Sequence, residues 1–236
     1  MVLEPLASSL SVLSEEEKEA GVVLVDIGGG TTDITVYFDG ILRHAAVIPF
    51  GGDIVTRDIK DGCTVLIKQA EALKIQFGEA VADLVDEEKV VTIASAGGWD
   101  PKERSFKTLA QIIQCRMEEI IDRVKFQTEI TGLHDKIGAG IVLTGGGALL
   151  TKLDVLTQKQ TGIEVRIGYA GAASKINFDD TINQPIYATG IGLMLKGLNK
   201  PRKKIQNQNT DKNKTGKKKG FQKFFSALFD TDDLKM

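Results

Sequence analysis

The feature that most restricts the fold is a short apolar run that ends in a cluster of glycines. Residues 22–25 read Val-Val-Leu-Val, so a strand through them is apolar on both faces. Strands of this kind lie in sheets that are covered on both sides, which is the arrangement of α/β proteins. The run breaks at residues 26–33, which read Asp-Ile-Gly-Gly-Gly-Thr-Thr-Asp. The sequence therefore predicts an α/β fold in which a buried strand ends at a glycine loop.

Strand and helix patterns alternate along the chain until about residue 198. Short buried runs and alternating stretches indicate strands, and apolar residues at steps of three and four indicate helices. The predicted strands cover 22–25, 34–38, 41–50, 89–95, 140–144 and 163–167. The predicted helices cover 54–60, 64–77, 105–131, 148–157 and 184–198. The first two strands form a predicted hairpin with the glycine loop at its turn.

Composition excludes several classes of protein. Of the 236 residues, 42% are hydrophobic and 26% are charged, which is the profile of a globular protein with a real core. A chain with only two cysteines, Cys63 and Cys115, cannot have a disulfide framework. These cysteines and the two histidines, His44 and His134, lie too far apart in the sequence to form a zinc-binding motif. We expect no signal peptide and no membrane-spanning helix, because no stretch approaches ~20 apolar residues.

The first glycine loop has the chemistry of an anion site. Glycines allow backbone N–H groups to turn toward one point, and the hydroxyls of Thr31 and Thr32 add donors. Asp26 would repel a phosphate directly. Its natural use is to hold Mg²⁺ through water or to orient a nucleophilic water. The alternative is a tight hairpin whose glycines meet steric needs only.

A second glycine cluster, Gly145, Gly146 and Gly147, ends the predicted strand 140–144 and opens a predicted helix. At such a junction the backbone can approach a nucleotide closely. By itself, this cluster is equally consistent with a loop that binds nothing.

Six segments in a fixed order carry a resemblance to a known family. They are 4–8 (Glu-Pro-Leu-Ala-Ser), 25–33, 49–53 (Pro-Phe-Gly-Gly-Asp), 70–74 (Ala-Glu-Ala-Leu-Lys), 144–148 and 187–190 (Tyr-Ala-Thr-Gly). With these segments the chain resembles the superfamily of actin, Hsp70 and sugar-kinase ATPases. Within that superfamily it resembles the FtsA family of bacterial cell-division proteins, over residues 1 to about 198 and in its tail.

The resemblance implies a site for ATP and Mg²⁺ and assigns its residues. Asp26 would serve Mg²⁺ or the attacking water. Glu71 and Lys74, one helical turn apart, would meet the ribose and the adenine edge; without the resemblance they would be a solvated ion pair. The resemblance assigns the β- and γ-phosphates to Gly28, Gly29, Gly30, Thr31 and Thr32, and the adenosine to Gly145, Gly146 and Gly147.

The segments correspond to the second half of an actin-like ATPase. We expect its nucleotide-binding subdomain, a sheet flanked by helices, at residues 1–62 and 132–198, with a smaller subdomain inserted at 63–131. This sequence contains no second Asp-x-Gly-Thr hairpin, so we expect the wall that the first half supplies to be absent from this chain. We therefore expect weak ATP affinity. The resemblance implies weak ATPase activity at most, and we expect none from this chain alone.

The tail is basic, although the net charge of the chain is −2. Residues 200–219 hold nine Lys or Arg against one acidic residue, which predicts a flexible basic linker over 199–219. Segment 220–236 has apolar residues at helical spacing, which predicts an amphipathic helix on an anionic membrane. The alternatives are docking onto the domain and binding to single-stranded nucleic acid. The predicted membrane-facing residues are Phe221, Phe224, Phe225, Leu228 and Phe229.

The function implied by the resemblance is that of a scaffold and membrane tether. The inserted subdomain would bind the C-terminal peptide of FtsZ, the tubulin-like division protein. Arg116 and Glu119 are the candidate contacts, and the alternative for them is an ordinary exposed helix face. The tail would bind anionic lipid of the inner membrane, on its cytoplasmic face at the division septum. The intact protein would self-associate, and we expect no nucleic-acid partner.

The alternative function is a phosphotransferase of the sugar-kinase or exopolyphosphatase type, built on the same ATPase core. The missing first half and the tail favour the tether, because a kinase gains nothing from a helix rich in phenylalanine after a lysine-rich spacer. An Hsp70-like chaperone would need a substrate domain after residue 198, for which this sequence has no room.

Overall fold

The computed structural model describes residues 2–93, 101–174, 176 and 178–198. The predicted linker 199–219 and the segment 220–236, with Phe221, Phe224, Phe225, Leu228 and Phe229, lie outside the described residues. The strands are β1 (Val22–Ile27), β2 (Thr32–Phe38), β3 (Ile41–Ile48), β4 (Val90–Ile93), β5 (Lys102–Ser105), β6 (Ile141–Thr144) and β7 (Val165–Ile167). The helices are α1 (Glu4–Val12), α2 (Glu15–Ala20), α3 (Gly52–Cys63), α4 (Ile67–Phe77), α5 (Phe106–Glu129), α6 (Leu153–Thr161) and α7 (Ala188–Leu198).

The main sheet has five strands in the order β3-β2-β1-β6-β7. β1 pairs antiparallel with β2 and parallel with β6, and β7 continues the parallel side. β1 is therefore the central strand, which explains why residues 22–25 are apolar on both faces. β4 and β5 form a separate two-stranded sheet. The mixed α/β architecture confirms the predicted fold class.

Helices cover both faces of the main sheet. On one face Val23, Val25 and Ile27 of β1 belong to a core that includes side chains of α3, α5 and α6. On the other face Val22 and Leu24 pack into a core with residues of α1 and α7. These two helices approach closely, because a Cβ on Gly192 of α7 would lie 1.8 Å from the carbonyl oxygen of Ala7.

The segment 63–131, predicted as an inserted subdomain, contains α4, the β4–β5 sheet and α5. Residues of α5, such as Ile113 and Met117, share the core of the main sheet with Val55 and Ile59 of α3. The long helix therefore packs on the main body as well as joining it to the β4–β5 sheet. The predicted subdomain boundaries stay a prediction.

The structure corrects the predicted helix 148–157. A 3₁₀ turn covers Gly146–Leu149, and the α-helix starts only at Leu153. Between them Thr151 forms a β-bridge with Glu79, and its carbonyl accepts the amide of Ala80 at 2.8 Å. This pairing with a distant segment holds the chain extended where the local pattern favoured a helix.

Other elements differ from the sequence prediction at their ends or were not predicted. α1 was missed, although Pro5 at its start is a typical first-turn residue. β5 was also missed, and the predicted strand 41–50 ends at Ile48, before Pro49. Among the helices of the described ranges, none is long and apolar enough to cross a lipid bilayer.

Candidate functional site

The two glycine loops meet at one cavity. Gly28 and Gly29 of the first loop and Gly146 and Gly147 of the second line a cavity of about 360 Å³. The other lining residues are Ile27, Gly52, Asp53, Glu71, Lys74, Ile75, Met117, Leu149, Leu150 and Ile186. The lining therefore combines glycine backbone and a few charged side chains with several aliphatic side chains. That combination is typical of small-molecule sites.

The first loop is held against the start of α3 by its carbonyl groups. The Gly28 amide donates to the Thr31 carbonyl at 2.9 Å, which closes the hairpin turn. The amides of Gly52 and Asp53 donate to the carbonyls of Gly28 and Gly29 at 2.8 and 2.9 Å. A Cβ at Gly51 would lie 2.4 Å from the Gly28 oxygen, so this close approach requires glycine. The loop and the first turn of α3 thus form one connected unit.

The second loop packs directly on the end of β1. Gly145 has φ +81°, and a Cβ there would lie 2.4 Å from Oδ1 of Asp26. A Cβ at Gly147 would lie 2.3 Å from Cγ2 of Ile27. Gly146 and Gly147 line the cavity, whereas Gly145 lies behind it against Asp26. Any side chain at Gly145 or Gly147 would separate this loop from β1.

Asp26 and Asp33 are opposite each other on β1 and β2, one residue pair before the loop. Asp26 is 7% exposed, and burial raises its pKa against the opposing effect of hydrogen bonds from Ser8 and Thr189. Burial, with the charges of Glu4 and Asp26, raises the pKa of Asp33 to about 6, although a hydrogen bond from Thr31 opposes the shift. The site therefore holds two buried carboxyl groups side by side.

No role was predicted from the sequence for Asp33, Ser8 or Thr189. Asp33 was visible as the last residue of the 26–33 motif, and a four-residue hairpin loop would have placed it opposite Asp26. Ser8 and Thr189 lie in the segments 4–8 and 187–190, which carried the resemblance. Their approach to Asp26 depends on how α1 and α7 pack, and no local pattern encodes it.

The threonines of the first loop have different positions. Thr31 is exposed beside Gly30 at the loop tip. Thr32 is fully buried, and its hydroxyl donates to the Phe50 carbonyl at 2.9 Å. The Thr32 hydroxyl therefore joins β2 to the segment before α3, and neither threonine is among the residues that line the cavity. Their predicted phosphate contacts stay a prediction.

Glu71 and Lys74 line the cavity and form part of a network within the protein. The Lys74 ammonium donates to the Gly52 carbonyl at 3.0 Å and to the Thr56 hydroxyl at 2.7 Å, and pairs with Glu71 at 2.8 Å. Only 12% of the Lys74 side chain is exposed but 45% of the Glu71 side chain is, so the pair is buried at its lysine and open to solvent at its carboxylate. Burial disfavours the Glu71 anion, but Lys74 and Thr56 outweigh it and lower the pKa of this carboxyl.

Arg116 and Glu119 lie on α5, among residues that line a different depression. The Arg116 guanidinium forms two hydrogen bonds with Asp58 of α3, at 2.6 and 3.2 Å, and a third with Glu119. Glu119 also pairs with Arg123 at 3.2 Å. The depression has a volume of about 460 Å³, and the remaining lining residues are Gln111, Ile112 and Cys115.

The donor set of the cavity fits a metal ion that arrives with a phosphate ligand. Within the described residues, no group of three or more His, Cys, Asp or Glu side chains is placed to hold a metal ion. Mg²⁺ often keeps several waters and binds through one or two carboxylates and substrate phosphates. Asp26 is not among the lining residues; it lies against Gly145, where the second loop begins, and could supply one such carboxylate from there. The described residues do not fit a metal held by protein ligands alone.

Solved structures with a similar fold are actin-like proteins. MreB5 of Spiroplasma citri, in a crystal structure with ADP, superposes with a TM-score of 0.64 at 21% identity, over 84% of this chain and 60% of MreB5. A chain of the PilM–PilN type IV pilus biogenesis complex superposes with a TM-score of 0.61 at 18% identity, over 85% of this chain and 53% of that one. These likenesses establish the actin-like fold.

Curated relatives in sequence are cell-division proteins. The chain is 40% identical over 200 residues to the cell division protein FtsA of Pseudomonas aeruginosa, covering 85% of this chain and 48% of that protein. It is 39% identical over 206 residues to FtsA of Escherichia coli K12, covering 84% and 48%. The chain thus spans about half the length of these relatives. The family model for cell division protein FtsA matches residues 23–192, and the chain therefore belongs to the FtsA family.

Proposed function

We propose that the chain is a nucleotide-binding part of an FtsA cell-division protein and that its cavity binds ATP with Mg²⁺. The observation that carries this proposal is the meeting of Gly28 and Gly29 with Gly146 and Gly147 at one cavity. The structures of MreB5, which shares the fold, were solved with ADP and with AMPPNP, and this supports a nucleotide as the ligand. The FtsA family membership favours this reading over the phosphotransferase alternative.

Different residues at and beside the cavity suit different parts of the nucleotide. The glycine backbone of the first loop would contact the phosphates, and Asp26 would hold the water shell of the magnesium ion. Glu71, kept ionised by Lys74, is an acceptor for a ribose hydroxyl. The aliphatic side chains of Ile75 and Ile186 offer an apolar surface for the base. When bound, Mg²⁺ would neutralise phosphate charge.

A valine at Gly146 tests the nucleotide proposal. A Cβ at Gly146 would make only an ordinary contact, 3.7 Å from Ile186, so a larger side chain can enter the cavity without displacing backbone. Fluorescence titration with a labelled ATP analogue and Mg²⁺ should show at least tenfold weaker binding for Gly146→Val. Gly197→Val, on α7 where a Cβ meets nothing within 4 Å, is the control and should bind like the parent. Equal binding by both variants would contradict the proposed site.

We also propose that the depression beside Arg116 and Glu119 binds the C-terminal peptide of FtsZ. The support is a half-buried arginine with acidic neighbours beside Ile112, a mixture that suits a peptide with apolar and charged side chains. Fluorescence anisotropy with a labelled peptide should show at least fivefold weaker binding for Arg116→Glu. Arg43→Glu, an arginine elsewhere on the surface, should leave the affinity unchanged. The assignment fails if both charge reversals give the affinity of the parent.

The membrane role and the location on the cytoplasmic face of the inner membrane, at the division septum, complete the proposal. Their support is the sequence pattern of segment 220–236. The full chain should sediment with anionic vesicles, whereas a shortened chain that ends at Asn199 should stay in the supernatant. A chain with Phe224 and Phe225 changed to serine retains every lysine, so loss of its binding would point to insertion of apolar groups and not to charge alone. Equal sedimentation of full and shortened chains would exclude the tether.

We also propose that the intact protein self-associates, and we assign no surface of this chain to that contact. The same full and shortened chains, titrated with single-stranded DNA, test the expectation that nucleic acid is not a partner. DNA binding that needs the tail and survives the two serine substitutions would favour the nucleic-acid alternative.

A further inference from the structure

Asp26 lies where three parts of the fold meet. It is carried by β1, and its Oδ2 accepts a hydrogen bond from the Ser8 hydroxyl of α1 at 2.5 Å. The Thr189 hydroxyl, in the first turn of α7, reaches the same oxygen at 3.3 Å. The two hydroxyls are 2.9 Å apart and hydrogen-bonded to each other. One carboxylate oxygen is therefore engaged by two helices that come from opposite ends of the described chain.

The other oxygen of Asp26 faces a different element. Oδ1 lies so close to Gly145 that a Cβ there would be 2.4 Å away. The second glycine loop continues from this point into Gly146 and Gly147, which line the cavity. The carboxyl plane is thus determined by the α1–α7 pair at Oδ2 and by the loop at Oδ1.

The helix pair that holds Oδ2 is rigidly packed. Ser8 is fully buried, and Ser11, one turn further along α1, donates to the Ala188 carbonyl at 2.7 Å and bridges α1 to α7. Gly192 of α7 touches the α1 backbone at Ala7. Hydroxyls on such a pair have little freedom to follow a moving carboxylate, so they impose an orientation on it.

We infer that Ser8 and Thr189 are positioning residues for Asp26, which hold its Oδ2 so that the carboxylate keeps the orientation needed for nucleotide-bound Mg²⁺. This inference rests on the proposed nucleotide site. Neither the two hydroxyls nor Asp26 lines the cavity, and Asp26 meets the second loop at Gly145, next to the lining residues Gly146 and Gly147. Their effect on a ligand passes through Asp26, and their loss weakens the part of nucleotide binding that depends on Mg²⁺.

The first test compares nucleotide affinity with and without the metal. Binding of a labelled ATP analogue is titrated once with Mg²⁺ in excess over the nucleotide and once with a chelator of Mg²⁺. For Ser8→Ala combined with Thr189→Val, the strengthening that Mg²⁺ confers should fall at least fivefold, and the affinity in chelator should stay within about twofold of the parent. Thr189→Ser alone keeps the hydroxyl and should behave like the parent.

Ser11→Ala is the matched control, because Ser11 joins the same two helices without touching Asp26. A general loosening of α1 against α7 would affect this variant as much as the double variant. Equal loss of the Mg²⁺ effect in both, or no loss in the double variant, would overturn the inference.

A second readout needs no nucleotide. Hydrogen exchange of the ligand-free chain is measured by mass spectrometry. Exchange over residues 144–149 should be faster in the double variant than in the parent, because Asp26 can then move away from Gly145 and loosen the second loop. Ser11→Ala leaves both hydroxyls on Asp26 and should exchange like the parent. Unchanged exchange there would overturn the inference even if the metal effect were lost. If the parent chain binds no nucleotide, the proposed function fails, and the exchange experiment still decides whether the hydroxyls position Asp26.

Discussion

Asp26 and Asp33 occupy paired positions on adjacent antiparallel strands, and both are more than nine-tenths buried beside the first glycine loop. Two neighbouring carboxylates with little solvent repel each other, and Glu4 adds a third negative charge nearby. Burial raises the pKa of both carboxyl groups, and for Asp33 the charges of Glu4 and Asp26 add to this effect and bring its pKa to about 6. Two acidic groups with little access to solvent are therefore held together where β1 and β2 meet the first glycine loop.

Replacing Asp33 by asparagine should stabilise the ligand-free protein near neutral pH. Because the folded pKa lies above the unfolded value, the favourable contribution of Asp33 is complete below pH ~4 and is lost as pH rises through about 6. Asp33→Asn should therefore raise the melting temperature at pH 7.5 by roughly 2–4 °C and have little effect at pH 4. Calorimetry across this range measures it, and Asp83→Asn, an exposed acid, is the control. A gain that is the same at both pH values would contradict the raised pKa.

Gly145→Ala should be strongly destabilising. At φ +81° and ψ 175°, Gly145 has a conformation that essentially only glycine adopts, which costs a residue with a Cβ about 1–3 kcal/mol, and the contact with Asp26 adds about 1–3 kcal/mol of overpacking. We expect a loss of about 2–6 kcal/mol in the free energy of unfolding, measured by urea denaturation. Gly40→Ala has a similar φ of +70° and no atom within 4 Å, so it should lose only the backbone part. Equal losses would show that Gly145 does not touch Asp26 as described.

Lys74→Met should weaken the contact between α4 and the start of α3 and lower the stability of the protein. The substitution keeps much of the apolar stem but leaves the Gly52 carbonyl, the Thr56 hydroxyl and Glu71 without their shared donor. Partly buried groups left in this way cost about 1–3 kcal/mol of unfolding free energy. Lys68→Met, an exposed lysine on the same helix, should change stability by less than about 0.5 kcal/mol. Similar effects of the two substitutions would mean that the Lys74 network contributes little.

The pair of Arg116 and Asp58 should show measurable coupling in a double-mutant cycle. Both side chains are about three-quarters buried, and the guanidinium contacts both carboxylate oxygens. Arg116→Met and Asp58→Asn, singly and together, should give a coupling energy of about 1 kcal/mol that decreases at high salt. Additive effects at low salt would show that this arginine is free to leave Asp58, which would make it a better candidate for binding a peptide.

The sequence by itself determined the elements whose signals are local. Residues 22–25 had to form a central strand because an apolar side chain on each face needs cover on each face. The glycines at 28–30 and 145–147 predicted two loops. Glycine is required at Gly145 and Gly147, because a Cβ at either position would collide with the end of β1. The helical periodicity of 105–131 placed α5 within two residues of its observed ends.

Tertiary structure alone decided how those parts meet. Ser8 and Thr189 are separated by 181 residues. They share one oxygen of Asp26 only because α1 and α7 pack together on the face of the sheet that carries Val22 and Leu24 of β1. The extended backbone at Thr151 and the buried hydroxyl of Thr32 likewise depend on partners distant in the chain. Local patterns report the conformational preference of a segment, whereas a hydrogen bond between distant segments depends on the whole packing arrangement, which no single segment encodes.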